Sequence, residues 1–151
     1  MESGALTLPK NDKHLYQLED EFTGASVHHT ATRRTLELLT SEVCTYYGIN
    51  EPALRFINTR RNQHSAWYDH EIVLNRARDG ANGWTLLHEL AHVIMEEFYL
   101  GEVEHHGPEF VAVYMHLLDR WNYLPNTCFR LLAKKYRVKI GRRYRPRAFN
   151  K

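Results

Sequence analysis

The chain has 151 residues, of which 43% are hydrophobic and 25% charged, as expected for one globular domain with a single core. No apolar run approaches the roughly 18 to 20 residues of a membrane span, and the N-terminus lacks the apolar segment of a secretory signal. We therefore expect a cytoplasmic protein without membrane contact. Cys44 and Cys128 are far apart and no CxxC pair occurs, which excludes a disulfide framework and a cysteine-rich zinc module.

The net charge of +2 conceals a strong asymmetry. Residues 130–151 contain six Arg, four Lys and no acid, which leaves ten bases against eighteen acids in residues 1–129. A basic end suits a polyanion such as nucleic acid, although a solvated tail that improves solubility is the alternative. DNA is therefore one candidate partner.

The first predicted elements are a helix and three strands. Apolar residues at three- and four-residue steps predict an amphipathic helix over 32–47, which Gly48 ends. Short runs rich in Ile, Val, Phe, Tyr and Trp then predict a small antiparallel sheet from strands over 54–58, 65–68 and 71–75.

Helices dominate the rest of the chain. Apolar residues recur at helical spacing over 84–99, after a loop that offers an N-cap. Gly107-Pro108 is typical of the start of a second helix that continues to Arg120. A shorter helix is predicted over 126–135. These elements together predict an α+β fold, with a small sheet packed against helices.

His88-Glu89-Leu90-Ala91-His92 is an HExxH motif inside the helix predicted over 84–99. Four residues turn through about 400° of helix, so both imidazoles lie on one face and can share a Zn²⁺ ion. Glu89 would lie close to the metal without binding it. There it could act as general base towards the attacking water and as general acid towards the leaving amine.

A catalytic zinc normally has a third protein ligand, and several His and Glu residues follow the motif. His106 is the preferred candidate, because it stands directly before the next helix and the intervening residues give the chain room to return. Glu109 could replace it in a glutamate-type site, or could accept a hydrogen bond from a ligand imidazole. Glu102, Glu104 and His105 are weaker candidates.

His88-Glu89-Leu90-Ala91-His92 followed by His106-Gly107-Pro108-Glu109-Phe110 resembles the active site of the SprT-like zinc metallopeptidases, the family of the Spartan-type proteases. Short phage and bacterial proteins look similar. The resemblance covers about residues 72–118 and implies that His106 is the third zinc ligand, in a minimal zincin fold. It also implies cleavage of DNA-associated proteins. For a phage protein, the expected location becomes the host cytoplasm or nucleoid.

The resulting domain prediction has three parts: residues 1–28 as a polar N-terminal extension, 29–136 as the SprT-like zincin domain, and 137–151 as a basic C-terminal tail. Family members often carry a zinc ribbon or recruitment regions, which this sequence lacks. The tail could contact nucleic acid instead, since aromatic Tyr144 and Phe149 alternate with its arginines. Those arginines are Arg142, Arg143, Arg145 and Arg147.

The predicted function is that of a monomeric zinc endopeptidase acting on protein substrates, with DNA-bound proteins as candidates. The alternative is a nucleic-acid-binding module that has a zincin fold and little or only autolytic peptidase activity. Zinc-dependent hydrolysis of a non-protein amide is a weaker third hypothesis, since the same metal and carboxylate would serve.

Overall fold

The computed structural model describes residues 10–24, 31–60, 65–68, 70–77, 80–99 and 105–142. Their elements in chain order are α1 (Lys10–Gly24), α2 (Arg33–Tyr47), β1 (Ala53–Ile57), β2 (Ala66–Tyr68), β3 (Glu71–Asn75), α3 (Gly83–Tyr99), α4 (Pro108–Arg120) and α5 (Asn126–Tyr136). This arrangement confirms the predicted α+β class. None of these helices combines the length and the apolar composition that crossing a bilayer requires.

The four helices predicted from the sequence are confirmed to within one residue at each end, and local chemistry explains their limits. The Thr32 hydroxyl accepts a hydrogen bond from the Thr35 backbone N–H, which caps the start of α2. Gly48 adopts a left-handed conformation with φ of 66° and ends the same helix, because a residue without Cβ takes that conformation at no steric cost.

Helix α3 is the central element of the fold, since it contacts α2, α4 and two strands. The Asn82 side-chain oxygen caps its first turn by accepting from the Thr85 N–H at 2.9 Å. Its buried apolar face comprises Leu86, Leu87, Leu90, Ala91, Ile94 and Met95. The rigid packing of this helix fixes the backbone that carries the HExxH motif.

The sheet is mixed, so the predicted antiparallel sheet is wrong in one of its two pairings. Strand β3 lies in the centre, where it pairs parallel with β1 and antiparallel with β2. Strands β2 and β3 follow each other closely and form a hairpin, whereas the longer connection from β1 carries the chain past β3 to its other edge. Composition predicts a strand but does not specify its neighbour, which is why the parallel pairing was missed.

Helix α1 differs from the sequence prediction, which places this segment in a polar extension over residues 1–28. Leu15 and Leu18 lie fully buried in the same core as α3 and α4. Helix α1 packs along α5, where the Lys135 ammonium group lies 2.9 Å from the Glu21 carboxylate. The N-terminal segment therefore contributes to the domain core.

The C-terminal segment after α5 returns to the start of α4. Val138 is buried, and the Gly141 N–H donates to the Pro108 carbonyl at 2.8 Å. The first residues of the predicted tail, 137–142, thus lie against the domain, with Arg142 exposed. Arg143, Arg145 and Arg147 lie outside the described residues.

Candidate metal centre

Helix α3 places His88 and His92 one turn apart, as the motif spacing predicts. Their ring centroids are 5.1 Å apart, and His88 is 9% exposed. The helix continues through the motif because buried apolar residues both precede it in the sequence, at Leu86 and Leu87, and follow it, at Ile94 and Met95. Both imidazoles therefore have a fixed backbone beneath them.

His106 brings the third imidazole to the same point from the segment that precedes α4. Its Nε2 atom lies 3.2 Å from Nε2 of His88 and 3.0 Å from Nε2 of His92. The three ligand atoms all lie within 4.8 Å of one another, so this group could hold a metal ion. Gly107 and Pro108 start α4 directly after His106 and thereby fix the position of the ligand segment.

The spacing and the hydrogen bonding of this group fit Zn²⁺. Tetrahedral zinc with Zn–N bonds of 2.0 to 2.1 Å places its ligand nitrogens about 3.3 Å apart, close to the separations from His106. Nδ1 of His88 lies 2.6 Å from Oε1 of Glu19. Because an ionised carboxylate only accepts, this bond assigns the proton to Nδ1 and leaves a lone pair on Nε2, the form that binds metal.

His106 follows the same pattern with a longer contact. Its Nδ1 atom is buried without a hydrogen bond, and Oδ2 of Asp12 lies 3.4 Å away. The carboxylate favours a proton on Nδ1 and so leaves a lone pair on Nε2, which lies 3.2 Å from Nε2 of His88, where a second lone pair would repel it. A cation between the two rings would remove this repulsion, which is the feature of the group that best fits a metal.

Burial favours the neutral form of two ligand imidazoles, His92 and His106. Desolvation lowers the pKa of His92 to about 2, with further lowering from the neighbouring His88, His106 and His105. Burial and His88 also lower the pKa of His106, against the opposing effect of Asp12. Neutral imidazole is the form that coordinates metal, so at neutral pH no proton has to be displaced from either ring.

An aromatic platform supports all three imidazoles. The Phe110 ring is fully buried, and its centroid lies 4.4 Å from that of His92, 5.0 Å from His106 and 5.1 Å from His88. Tyr114 lies one turn further along α4, with its ring 5.3 Å from His88. This packing restricts the rotamers of the ligands and surrounds the centre with apolar material.

Glu89 is 6% exposed beside the ligand group. Burial raises the pKa of Tyr114 well above its usual value, and the negative charges of Glu19 and Glu89 raise it further. Two carboxylates therefore act on the same phenol. Glu19 lies behind His88, at Nδ1 of its ring, whereas Glu89 directly follows His88 on α3.

The structure brings together His88, His92 and His106, the preferred ligands of the sequence analysis. Among the described residues Glu109 is not part of that group, and it lies partly buried on the first turn of α4. His105 is exposed, with its ring 5.8 Å from that of His92. Glu102 and Glu104 lie outside the described residues.

The carboxylates behind the ligands are Asp12 and Glu19, which the sequence analysis missed. They are seven residues apart on α1, a spacing of two helical turns that places both on one face. Leu15, Leu18 and Phe22 at helical spacing could have revealed the helix. Their contacts with the histidines span 69 positions for Glu19 and His88 and 94 positions for Asp12 and His106, and no local sequence pattern predicts such contacts.

Comparisons of this chain with protein-family models, with curated proteins and with solved structures find no match. The resemblance of the HExxH and HGPEF segments to SprT-like metallopeptidases therefore stays a prediction.

Proposed function

We propose that this protein is a zinc-dependent endopeptidase, with His88, His92 and His106 as the zinc ligands and Glu89 as the group that transfers the proton. The observation that carries the proposal is the convergence of three imidazoles, whose ligand atoms all lie within 4.8 Å of one another, next to the buried Glu89 on the same helix as two of them. Histidine is a preferred ligand of zinc, and the HExxH spacing adds the general base in the adjacent position.

The number of ligands supports catalysis over a purely structural metal. Structural zinc sites are closed by four protein ligands, whereas catalytic sites have three and leave one position open. Within the described part of the chain, the group contains three histidines and no further Cys, Asp or Glu. The remaining position would be available to water and substrate.

Zinc at this site would supply Lewis-acid polarisation of a peptide carbonyl and would lower the pKa of a water molecule. The Glu89 carboxylate takes the proton of the attacking water while the water oxygen bonds to the carbonyl carbon. It then gives that proton to the amide nitrogen as the C–N bond breaks, which leaves a carboxylic acid and an amine. Low exposure strengthens these charge interactions, because bulk water does not screen them.

Proteins bound to DNA are the proposed substrate class, based on the position of the basic C-terminal segment. The Gly141 N–H donates to the Pro108 carbonyl, only two residues after His106. Arg142 follows directly and is exposed. A polyanion contacted there would lie beside the segment that carries the third ligand, which would concentrate DNA-bound proteins near the site.

The test is cleavage of a histone by zinc-loaded protein, with and without single-stranded DNA. Glu89→Gln should reduce cleavage about 10²- to 10⁴-fold while the zinc content stays near that of the wild type, since the ligands are unchanged. Glu97→Gln, an exposed position of the same helix, is the matched control and should cleave normally. Cleavage by Glu89→Gln at the wild-type rate would contradict the role of Glu89.

The DNA component has its own test. Replacing Arg142, Arg143, Arg145 and Arg147 by Gln should weaken binding of single-stranded DNA. The slope of log binding constant against log salt concentration should become shallower by about 0.7 for each arginine that contacts a phosphate. Unchanged binding would exclude this segment as the contact. A zinc-loaded wild type that binds DNA and cleaves no substrate would favour the nucleic-acid-binding module over the protease.

A further inference from the structure

We propose that helix α1 is a positioning element of the metal centre, and that docking of α1 and binding of the metal strengthen each other. Glu19 and Asp12 would orient two of the ligand imidazoles, and Asn11 would hold the backbone of the third-ligand segment. The inference rests on the proposed function for the identity of the metal as zinc, and its test does not use peptide cleavage.

Glu19 makes the shortest of these contacts. Its Oε1 atom lies 2.6 Å from Nδ1 of His88, and the two side chains are only 17% and 11% exposed. Asp12 repeats the arrangement at His106 with a 3.4 Å contact between side chains that are 14% and 11% exposed. Two separate ligands therefore have a carboxylate of the same helix face behind them.

Asn11 adds a backbone connection. Its side-chain N–H donates to the His106 carbonyl at 2.8 Å, while its side-chain oxygen accepts from the Lys139 N–H at 3.0 Å. One amide thus joins α1 to the ligand segment and to the C-terminal segment. The ring of Tyr16 packs edge-on against His106 at 5.5 Å.

The coupling follows from the chemistry of imidazole. A cation bound at Nε2 draws electron density from the ring, so the Nδ1–H becomes a stronger donor towards the carboxylate. Conversely, the carboxylate makes Nε2 a better ligand. Because coupling free energies are reciprocal, whatever factor α1 docking contributes to zinc affinity, zinc contributes equally to α1 docking.

The first measurement is the zinc dissociation constant, obtained by competition with a chromophoric chelator. Glu19→Gln keeps a hydrogen-bond acceptor but removes the charge, and should weaken zinc binding about 10- to 100-fold. Asp12→Asn should weaken it less, because its contact is longer. Asp20→Asn removes the same charge from an exposed neighbouring position and should stay within about twofold of the wild type.

A merely structural role of Glu19 makes a different prediction, which thermal unfolding of the metal-free variants separates. If Glu19 only stabilised the fold, Glu19→Gln would lower the melting temperature of the metal-free protein and leave the zinc affinity of the folded protein unchanged. If it positions His88, the Co²⁺-substituted variant should also show an altered visible absorption spectrum, since the ligand field at the metal changes.

Hydrogen exchange tests the reciprocal effect. Adding zinc to the wild type should slow exchange of the α1 amides, and Glu19→Gln should lose most of that protection. A zinc affinity of Glu19→Gln within twofold of the wild type, or α1 exchange that is insensitive to zinc, would overturn the coupling. A wild type that binds zinc with coupled α1 protection but cleaves no protein would contradict the proposed protease and leave the coupling intact.

Discussion

Phe110→Ala should destabilise the protein and weaken its metal centre at the same time. The Phe110 ring is fully buried, and it packs against all three ligand imidazoles with centroid separations of 4.4 to 5.1 Å. Truncating a buried Phe to Ala costs about 3 to 5 kcal/mol from lost burial and the cavity that remains. For a chain of this length each kcal/mol lowers the melting temperature by about 2 to 4 °C. The expected loss is therefore about 6 to 20 °C.

The assay is thermal unfolding followed by circular dichroism, with a chelator and then with zinc. Leu131→Ala is the matched control, because Leu131 is 70% exposed and its truncation should change stability by less than about 0.5 kcal/mol. Phe110→Leu retains most of the apolar volume and provides a folded variant whose zinc affinity should still fall about tenfold. A Phe110→Ala melting temperature within about 2 °C of the wild type would refute the platform role, because it would correspond to a loss of only about 1 kcal/mol or less in unfolding free energy.

Three further predictions concern the pH dependence, the thiols and the C-terminal contact. Because the pKa of His92 is lowered to about 2, the unfolded chain binds a proton below pH 6.5 that the folded metal-free protein does not. The unfolding free energy of the metal-free protein should therefore fall by up to about 1.4 kcal/mol per pH unit as the pH drops below 6.5. Urea unfolding of His92→Asn should lack this part of the pH dependence. Burial raises the pKa of Cys44 to about 12, so in the folded protein an alkylating reagent should label exposed Cys128 alone, as mass spectrometry can show. Gly141→Ala places a Cβ 2.8 Å from the Pro108 carbonyl carbon and should lower the free energy of unfolding by about 1 to 3 kcal/mol. An unchanged midpoint of urea unfolding would contradict this contact.

The sequence was most informative where the determinants are local. The N-cap at Thr32, the left-handed Gly48 and the Gly107-Pro108 start depend on residues within a few positions of each other, and the helix bounds were predicted accordingly. The HExxH spacing is also local, so the shared face of His88 and His92 followed directly from helix geometry.

Long-range packing explains what the sequence analysis missed. Helix α1 has a narrow apolar stripe in a strongly charged segment, and its stability comes from burial of Leu15 and Leu18 in a core formed by residues far along the chain. The contact of Glu19 with His88 depends on that docking. Likewise, the parallel pairing of β1 and β3 depends on how a connection crosses the sheet, which strand composition does not encode.

The most direct test of the metal centre is the zinc content of the purified protein after dialysis, compared between the wild type, His106→Ala and His105→Ala. His105 is the adjacent exposed histidine and provides the matched control. We predict about one zinc per chain for the wild type and His105→Ala, and a substantial loss for His106→Ala, since only two histidine ligands remain. Full zinc occupancy in His106→Ala would contradict the three-histidine centre.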